Sequence, residues 1–340
     1  MDSRKYVVIS PCRDEAEYMK RTLESVVNQK LTPTLWLIVD DGSTDGSKEI
    51  LADYERHYEF IKVMSRENRG FRSVGPGVID AFYAGLQTVD LDKFQYICKL
   101  DLDLELPDTY FLTLIEKMEA DPRLGSCSGK PYNEVNGKWV SERRGDEMSV
   151  GMTKFYRRDC FIQIGGFIRE VMWDAIDCHK SRQLGWKTAS WDQSELNFLH
   201  LRVMGSSQNG VLTGRARHGF GQYYMGTGIV YMLMTCMYRA IEYPILIGGA
   251  AMFYGYVKAM FKRNLRNPDH ALVGEIRKFQ ISSLLRGKRR ATELAEKRNS
   301  ARWDPTDLEC GREVLDSRIR NQLADDVSML SQPQVSQAGL

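Results

Sequence analysis

The segment Asp101-Leu-Asp-Leu-Glu105 places three carboxylates at alternate positions directly behind an apolar run, Tyr96-Ile-Cys-Lys-Leu100. In an extended chain alternate side chains point the same way, so Asp101 and Asp103 project together from a strand end and Glu105 continues the series. Paired hard oxygen ligands suit Mg2+ or Mn2+, which bind through one or two carboxylates plus substrate phosphates. A solvated acidic loop is the plain alternative for a lone D-x-D. A second acidic cluster, Asp40-Asp-Gly-Ser-Thr-Asp45, ends the run Leu35-Trp-Leu-Ile-Val39. Asp40 and Asp41 can accept hydrogen bonds from a base or from ribose hydroxyls; the same residue types also cap helices. Arg66, Asn68 and Gly70 follow a third run, Phe60–Met64, where a cation and an amide can meet phosphate or base. Arg157 and Arg158 could engage an acidic or diphosphate-bearing ligand, against the ordinary alternative of surface salt bridges.

For these clusters to act together, the runs that precede them must be neighbouring strands. Tyr6-Val-Val-Ile-Ser10 reads as the first of four, each bounded by polar turns. Between them lie helix-period segments: Ala16–Gln29 with apolar Met19, Leu23, Val26 and Val27, then Gly46 to about His57, then Val78–Val89. Strand–helix alternation with short connections predicts a doubly wound, mostly parallel α/β sheet. Ligands of such sheets sit beyond the strand carboxyl ends, where Ser10–Glu15, Asp40–Asp45 and Asp101–Glu105 all fall.

Composition narrows the class. The chain has 340 residues, with 47 Lys and Arg against 45 Asp and Glu, a net +2 that argues against a polybasic nucleic-acid binder. The 43% of hydrophobic residues argue against disorder. Seven cysteines show no C-x-x-C pair, so free thiols in a reducing, cytoplasmic compartment are expected, and the N-terminus lacks a signal-peptide pattern. The charge is segregated. Residues 1–225 carry 30 basic and 33 acidic side chains, 226–302 carry 14 and 5, and 303–340 carry 3 and 7. Three parts are expected: an α/β domain over 1–224 (halves about 1–105 and about 106–224), a basic amphipathic helical subdomain over 225–302, and a polar, partly disordered tail over 303–340 with one short helix. In the middle part the apolar stretches Ile229–Tyr238 and Ile245–Val257 are too short to span a bilayer, which needs about 20 apolar residues per helix. With Lys258, Lys262, Arg263 and Arg266 behind them, they predict a helical hairpin lying in a membrane interface. An ordinary helical subdomain or a homo-oligomer contact is the alternative.

Val8-Ile9-Ser10-Pro11-Cys-Arg-Asp14, Leu23-Glu-Ser-Val-Val-Asn-Gln29 and Ile38-Val-Asp-Asp-Gly-Ser-Thr-Asp45 together resemble the N-terminal signature of family 2 glycosyltransferases. Asn68-Arg-Gly70, Lys99-Leu-Asp-Leu-Asp103 and Phe155–Phe167 continue it in order, over roughly residues 5–205. The resemblance implies a GT-A fold and an inverting, metal-dependent transfer from a nucleotide-sugar to a lipid-linked or polysaccharide acceptor, with UDP the preferred nucleotide over GDP or dTDP. It implies that Pro11, Arg13 and Asp14 line the nucleotide pocket, with Lys99 and Leu102 in the donor segment, and that Asp101 and Asp103 hold the metal. Glu105 would assist them, and His200 would be a further metal ligand, with His218 a weaker one. The family's base lies in an E-D pair about eleven residues before a Gly-aromatic. Here Trp173-Asp174 stands at that spacing before Gly185-Trp186, so Asp174 is the base candidate, Asp177 its rival, and Trp173 an acceptor-side residue in the place of the Glu. A sugar-phosphate nucleotidyltransferase is the rival enzyme, but Ser10-Pro-Cys-Arg-Asp lacks the glycines of its phosphate loop. A non-catalytic nucleotide-binding scaffold is the non-enzymatic alternative.

Overall fold

The computed structural model describes residues 4–68, 75–202, 210–240 and 245–330. Gly70 and the stretch 241–244 between the two apolar segments lie outside them. The four expected strands form as β1 (Tyr6–Cys12), β2 (Leu35–Asp40), β3 (Ile61–Ser65) and β4 (Tyr96–Leu100), joined through α1 (Met19–Val27), α2 (Ser47–His57) and α3 (Pro76–Leu86). The short strand β5 (Leu104–Glu105), α4 (Tyr110–Ala120), β6 (Leu124–Ser128), β7 (Pro131–Val135), β8 (Lys138–Ser141) and β9 (Thr153–Arg157) follow. Then come α5 (Arg158–Gln163), α6 (Trp173–Gln183), β10 (Lys187–Ser190) and β11 (Phe198–His200).

The main sheet has the order β10-β6-β9-β4-β1-β2-β3, and only β9 runs antiparallel to its neighbours. Cys12 pairs with Asp40 and Asp40 with Ser65, so β1, β2 and β3 end level and deliver their loops to one edge. Both faces are buried, as a mostly parallel sheet requires. Tyr6, Val8, Trp36 and Ile38 face α1 and α4, whereas Val7, Ile9, Leu37 and Val39 face α3 and α5. A second sheet, ordered β5-β11-β7-β8, ties the D-x-D segment to the strand ending at His200, with Leu104 paired to His200.

The remainder is helical: α7 (Gly210–Tyr224), α8 (Ile229–Arg239), α9 (Ile247–Phe261), α10 (His270–Arg286), α11 (Lys288–Asn299) and α12 (Glu309–Leu330). The two apolar stretches are α8 and α9, as the hairpin expectation required. Helix α7, placed with the catalytic half by sequence, crosses α9 with its backbone in contact. A Cβ on Gly219 would lie 1.8 Å from the Met252 carbonyl oxygen, and one on Gly255 would lie 1.9 Å from that of Ala216. The tail holds the one helix expected of it, longer than the sequence suggested, and its end over 331–340 lies outside the described residues. Its helix is 22 residues long, because Leu315 is buried in the α3/α5 side of the core and Ile319 packs beside it.

Candidate active site

A cavity of about 560 Å³ opens at the carboxyl end of β4. Its floor carries Lys99, Asp101 and Asp103 from the β4 end, with Gly151 and Met152 from the segment entering β9. One wall is the start of α6 with Trp173 and Asp174, another holds His200 and Arg202, and the roof is helical, with His218, Arg239 and Gln280. The segment 225–302 is therefore part of the wall of the site.

The two aspartates meet different neighbours. Asp101 is paired to Lys99, and its amide donates to the Met152 carbonyl at 2.8 Å. Asp103 Oδ2 faces Arg202 Nε at 3.4 Å and His200 Nε2 at 3.7 Å. Burial pushes the Asp101 carboxyl up, partly against the pull of Lys99. Asp103 is as deeply placed, yet His200 and Arg202 hold it below the usual carboxylate range. Burial alone would lower the His200 imidazole, but Asp103 and Glu142 outweigh it and push its pKa up to about 9. Glu142 Oε1 lies 2.6 Å from His200 Nδ1 and fixes the ring.

Asp103 Oδ1 is buried without a hydrogen-bond partner. A buried carboxylate oxygen left unmet is costly unless something else binds it. That orphan atom, the neighbouring Asp101 and an imidazole that has given up its proton would form a donor set of the kind Mn2+ or Mg2+ accepts when diphosphate oxygens complete the shell. Among the described residues, no three His, Cys, Asp or Glu are grouped so as to enclose a metal. Glu105 is not part of it: its carboxylate accepts from Arg21 Nε at 2.6 Å on the outer side and does not line the cavity.

The donor-side residues gather at the ends of β1, β2 and β3. Arg13 Nη1 donates to the Asp41 carbonyl at 3.0 Å and Nη2 to Asn68 Oδ1 at 2.8 Å, while Arg66 Nη1 holds Asp41 Oδ1 at 3.0 Å. Asp14 stands at φ 53° and accepts the Thr44 amide at 2.8 Å, bracing the acidic turn. Gly42, at φ 78°, is required there, since a Cβ would fall 2.5 Å from Asn68 Cα. Asp40 Oδ1 accepts the Ser43 amide at 3.0 Å, and its Oδ2 is a second buried oxygen without a hydrogen-bond partner. Pro11 is half-buried in this strand end, and the Leu102 side chain is buried in the core.

Besides Glu105, the expectations for Arg157, Arg158 and Asp177 are corrected. Arg157 and Arg158 stand at the opposite edge of the sheet, because β9 is antiparallel and its Arg157 pairs with Tyr96 at the start of β4. Arg157 donates to the Met118 carbonyl at 2.6 Å, and Arg158 pairs with Asp159 at 2.8 Å, so neither reaches the cavity. Asp177, one turn beyond Asp174, faces the core, where Lys154 Nζ lies 2.5 Å from it and the Tyr156 hydroxyl also donates to it. Trp173 stands beside Asp174 in the cavity wall, on the side expected of it, and is mostly buried: its ring lies against Phe167 at 4.6 Å, with the ammoniums of Lys99 and Lys154 at 5.4 and 5.7 Å from its centroid. Sequence reading missed Glu142 and Arg202. Arg202 stands two residues after His200, the same alternation that identified Asp103; Glu142 had no local signal.

A mostly parallel sheet with one reversed strand, acidic turns at the ends of β2 and β4 and a smaller sheet beside the D-x-D defines a GT-A fold. Residues 7–173 match the family described as Glycosyl transferase family 2, and the chain carries a family 2 glycosyltransferase domain. It is similar to the poly-beta-1,6-N-acetyl-D-glucosamine synthase of Staphylococcus epidermidis, 29% identical over 121 residues, which are 35% of this chain and 27% of that protein. The Staphylococcus aureus synthase is 30% identical over 121 residues, with the same shares. The match thus spans about a quarter of the length of these curated relatives. The crystal structure of GalNAc-T7 with UDP, GalNAc and Mn2+ superposes with a TM-score of 0.51 at 14% identity, over 82% of this chain and 58% of that one, a likeness of fold.

Proposed function

We propose that the protein is an inverting glycosyltransferase that moves a sugar from a UDP-sugar to a hydroxyl of a saccharide or lipid-linked saccharide, assisted by Mn2+ or Mg2+. The observation that carries this reading is the single cavity holding Asp101 and Asp103 on its floor and Asp174 on its wall. The nucleotide would lie over the Arg13–Asp41–Arg66 cluster, above the buried Asp40, whose Oδ2 has no hydrogen bond and faces the Lys48 ammonium at 4.0 Å. A divalent ion held by Asp101 and Asp103, with His200 beside them, would neutralise charge on the leaving nucleoside diphosphate. Asp174 takes the proton of the acceptor hydroxyl as that oxygen bonds to the anomeric carbon and the diphosphate departs from the opposite face. UDP-N-acetylglucosamine is the first donor to test, because the curated relatives make an N-acetylglucosamine polymer.

Calorimetric titration of UDP-N-acetylglucosamine with and without Mn2+ tests the reading. Binding is expected to strengthen with Mn2+, and Asp103→Ala is expected to remove that Mn2+ dependence. Failure of any nucleotide-sugar to bind, with or without Mn2+, overturns it.

We infer further that the protein works as a peripheral, monotopic enzyme on the cytoplasmic face of a membrane. No helix among the described residues is long and apolar enough to cross a bilayer. Helices α8 and α9 nonetheless present Val230, Met237, Leu246 and Tyr254 to solvent, and Phe261 and Leu265 are 78% and 86% exposed beside Lys258, Lys262 and Arg263. Large exposed apolar side chains rimmed by cations match an anionic lipid surface. In co-sedimentation with phosphatidylglycerol vesicles, Phe261→Glu with Leu265→Glu is expected to reduce binding by about tenfold or more, since each change removes apolar burial and adds repulsion. Equal sedimentation of variant and parent would remove this placement.

A further inference from the structure

The roof of the cavity contains a buried polar chain whose hydrogen-bond direction is fixed from one end. The Gly228 amide, which can only donate, points at Gln280 Oε1 at 3.4 Å. The Gln280 amide nitrogen therefore faces Thr227 Oγ1, to which it donates at 3.0 Å. Thr227 spends its single proton on Gln222 Oε1 at 2.6 Å, leaving the Gln222 amide nitrogen to meet His218 Nε2 at 3.3 Å. Flipping Gln222 would leave the Thr227 hydroxyl proton without an acceptor in a residue that is 1% exposed. The Tyr256 hydroxyl clamps the Thr227 carbonyl at 2.8 Å, so the chain is held by α7, α9 and α10 together.

The end of this chain is the imidazole of His218, which lines the cavity with Asp174. An imidazole that accepts at Nε2 carries its proton on Nδ1. We propose that His218, held as the Nδ1–H tautomer by Gln222, Thr227 and Gln280, is a neutral hydrogen-bond donor to an oxygen of the acceptor saccharide, making the helical roof part of the acceptor site. This rests on the glycosyltransferase reading, which puts the diphosphate over Asp101 and Asp103 and leaves the Asp174 side to the acceptor. Neutrality has independent support. Burial pushes the His218 imidazole down to about 4, and the cations of Arg239, Arg144 and Arg215 add to this while Asp174 opposes it. A neutral donor suits a hydroxyl or ring oxygen, for which no charge needs to be matched.

Two measurements on the full chain test this. In two-bond 1H–15N correlation spectra near neutral pH, the histidine signal lost in His218→Ala is expected to show the Nδ1–H pattern, and Thr227→Val is expected to shift it towards Nε2–H. An Nε2–H or charged His218 in the parent overturns the proposal. With a β-1,6-linked N-acetylglucosamine tetrasaccharide as probe, His218→Ala is expected to raise its Kd about tenfold more than that of UDP-N-acetylglucosamine, the effect of one hydrogen bond. His218→Asn, whose amide nitrogen replaces Nδ1, is expected to restore part of the loss. An equal effect on both ligands, no rescue by Asn, or a tetrasaccharide that does not bind the parent each overturns it. Loss of Mn2+-dependent UDP-N-acetylglucosamine binding in the parent is instead the failure of the glycosyltransferase reading.

Discussion

Asp174→Asn is expected to lower sugar transfer by about 10²–10⁴-fold, the usual worth of a positioned general base, while UDP-N-acetylglucosamine binding stays within about twofold. Asparagine keeps the size of the side chain and its place on the first turn of α6, so the cavity retains its shape. What disappears is the capacity to take a proton from the acceptor hydroxyl. The donor cluster around Asp41 and the D-x-D segment belong to other loops and are held by their own partners, Arg13, Arg66 and Lys99. Single-turnover transfer measured beside a donor titration separates the two effects. An Asn variant that transfers sugar at the parental rate removes Asp174 from the chemistry. Asp177→Asn is expected to behave differently, because its carboxylate is enclosed by Lys154 and Tyr156 and cannot meet a substrate hydroxyl.

The contrast between these two aspartates also marks where sequence reading stops. The strand ends were legible because buried parallel strands are continuous apolar runs, and the polar residues behind them must sit at the ligand edge. The placement of Asp101, Asp103, Asp40 and Asp41 at that edge followed from the rule, and the resemblance to family 2 glycosyltransferases suggested their roles. Asp174 and Asp177 stand three residues apart on a helix, a spacing that keeps both near one face and leaves the choice to tertiary packing. The sense of β9 was equally hidden. A parallel strand there would have carried Arg157 and Arg158 to the cavity edge; an antiparallel one carries them to the opposite end and brings Gly151 to the floor instead. The Glu142–His200 and Gln280–Thr227 contacts are long-range encounters between elements, which no local pattern encodes. The tail helix was underestimated for a related reason: its burial depends on a groove between α3 and α5 that only the folded sheet creates.

Lys154→Met is expected to cost about 3–5 kcal/mol of folding stability, the range for breaking a buried ion pair by removing one partner. Neither side chain is meaningfully exposed, at 0% and 2%. Burial alone would push the Lys154 ammonium down, but the carboxylate of Asp177 outweighs it and the net shift is upward, so the charge is kept inside the protein. Without it, Asp177 retains the Tyr156 hydroxyl and the Cys178 amide but no compensating charge. Replacing both partners, as Lys154→Met with Asp177→Leu, is expected to recover most of the loss, since apolar side chains of similar volume fill the same space without a desolvation cost. Urea unfolding of the two single variants and the double variant reads the coupling directly. The activity of the double variant then carries the functional point. Lys154 Nζ also donates to the Asp174 carbonyl at 2.6 Å, tying β9 to the first turn of α6 where the base candidate stands. If the pair only stabilises the fold, the restored double variant should transfer sugar like the parent. If it positions Asp174, the double variant should be stable, bind donor normally and still show a lower turnover number, because a base must lie within hydrogen-bonding reach of the proton it removes. The hydrogen bond to Asp174 favours the second outcome, and a stable double variant with parental turnover would exclude it.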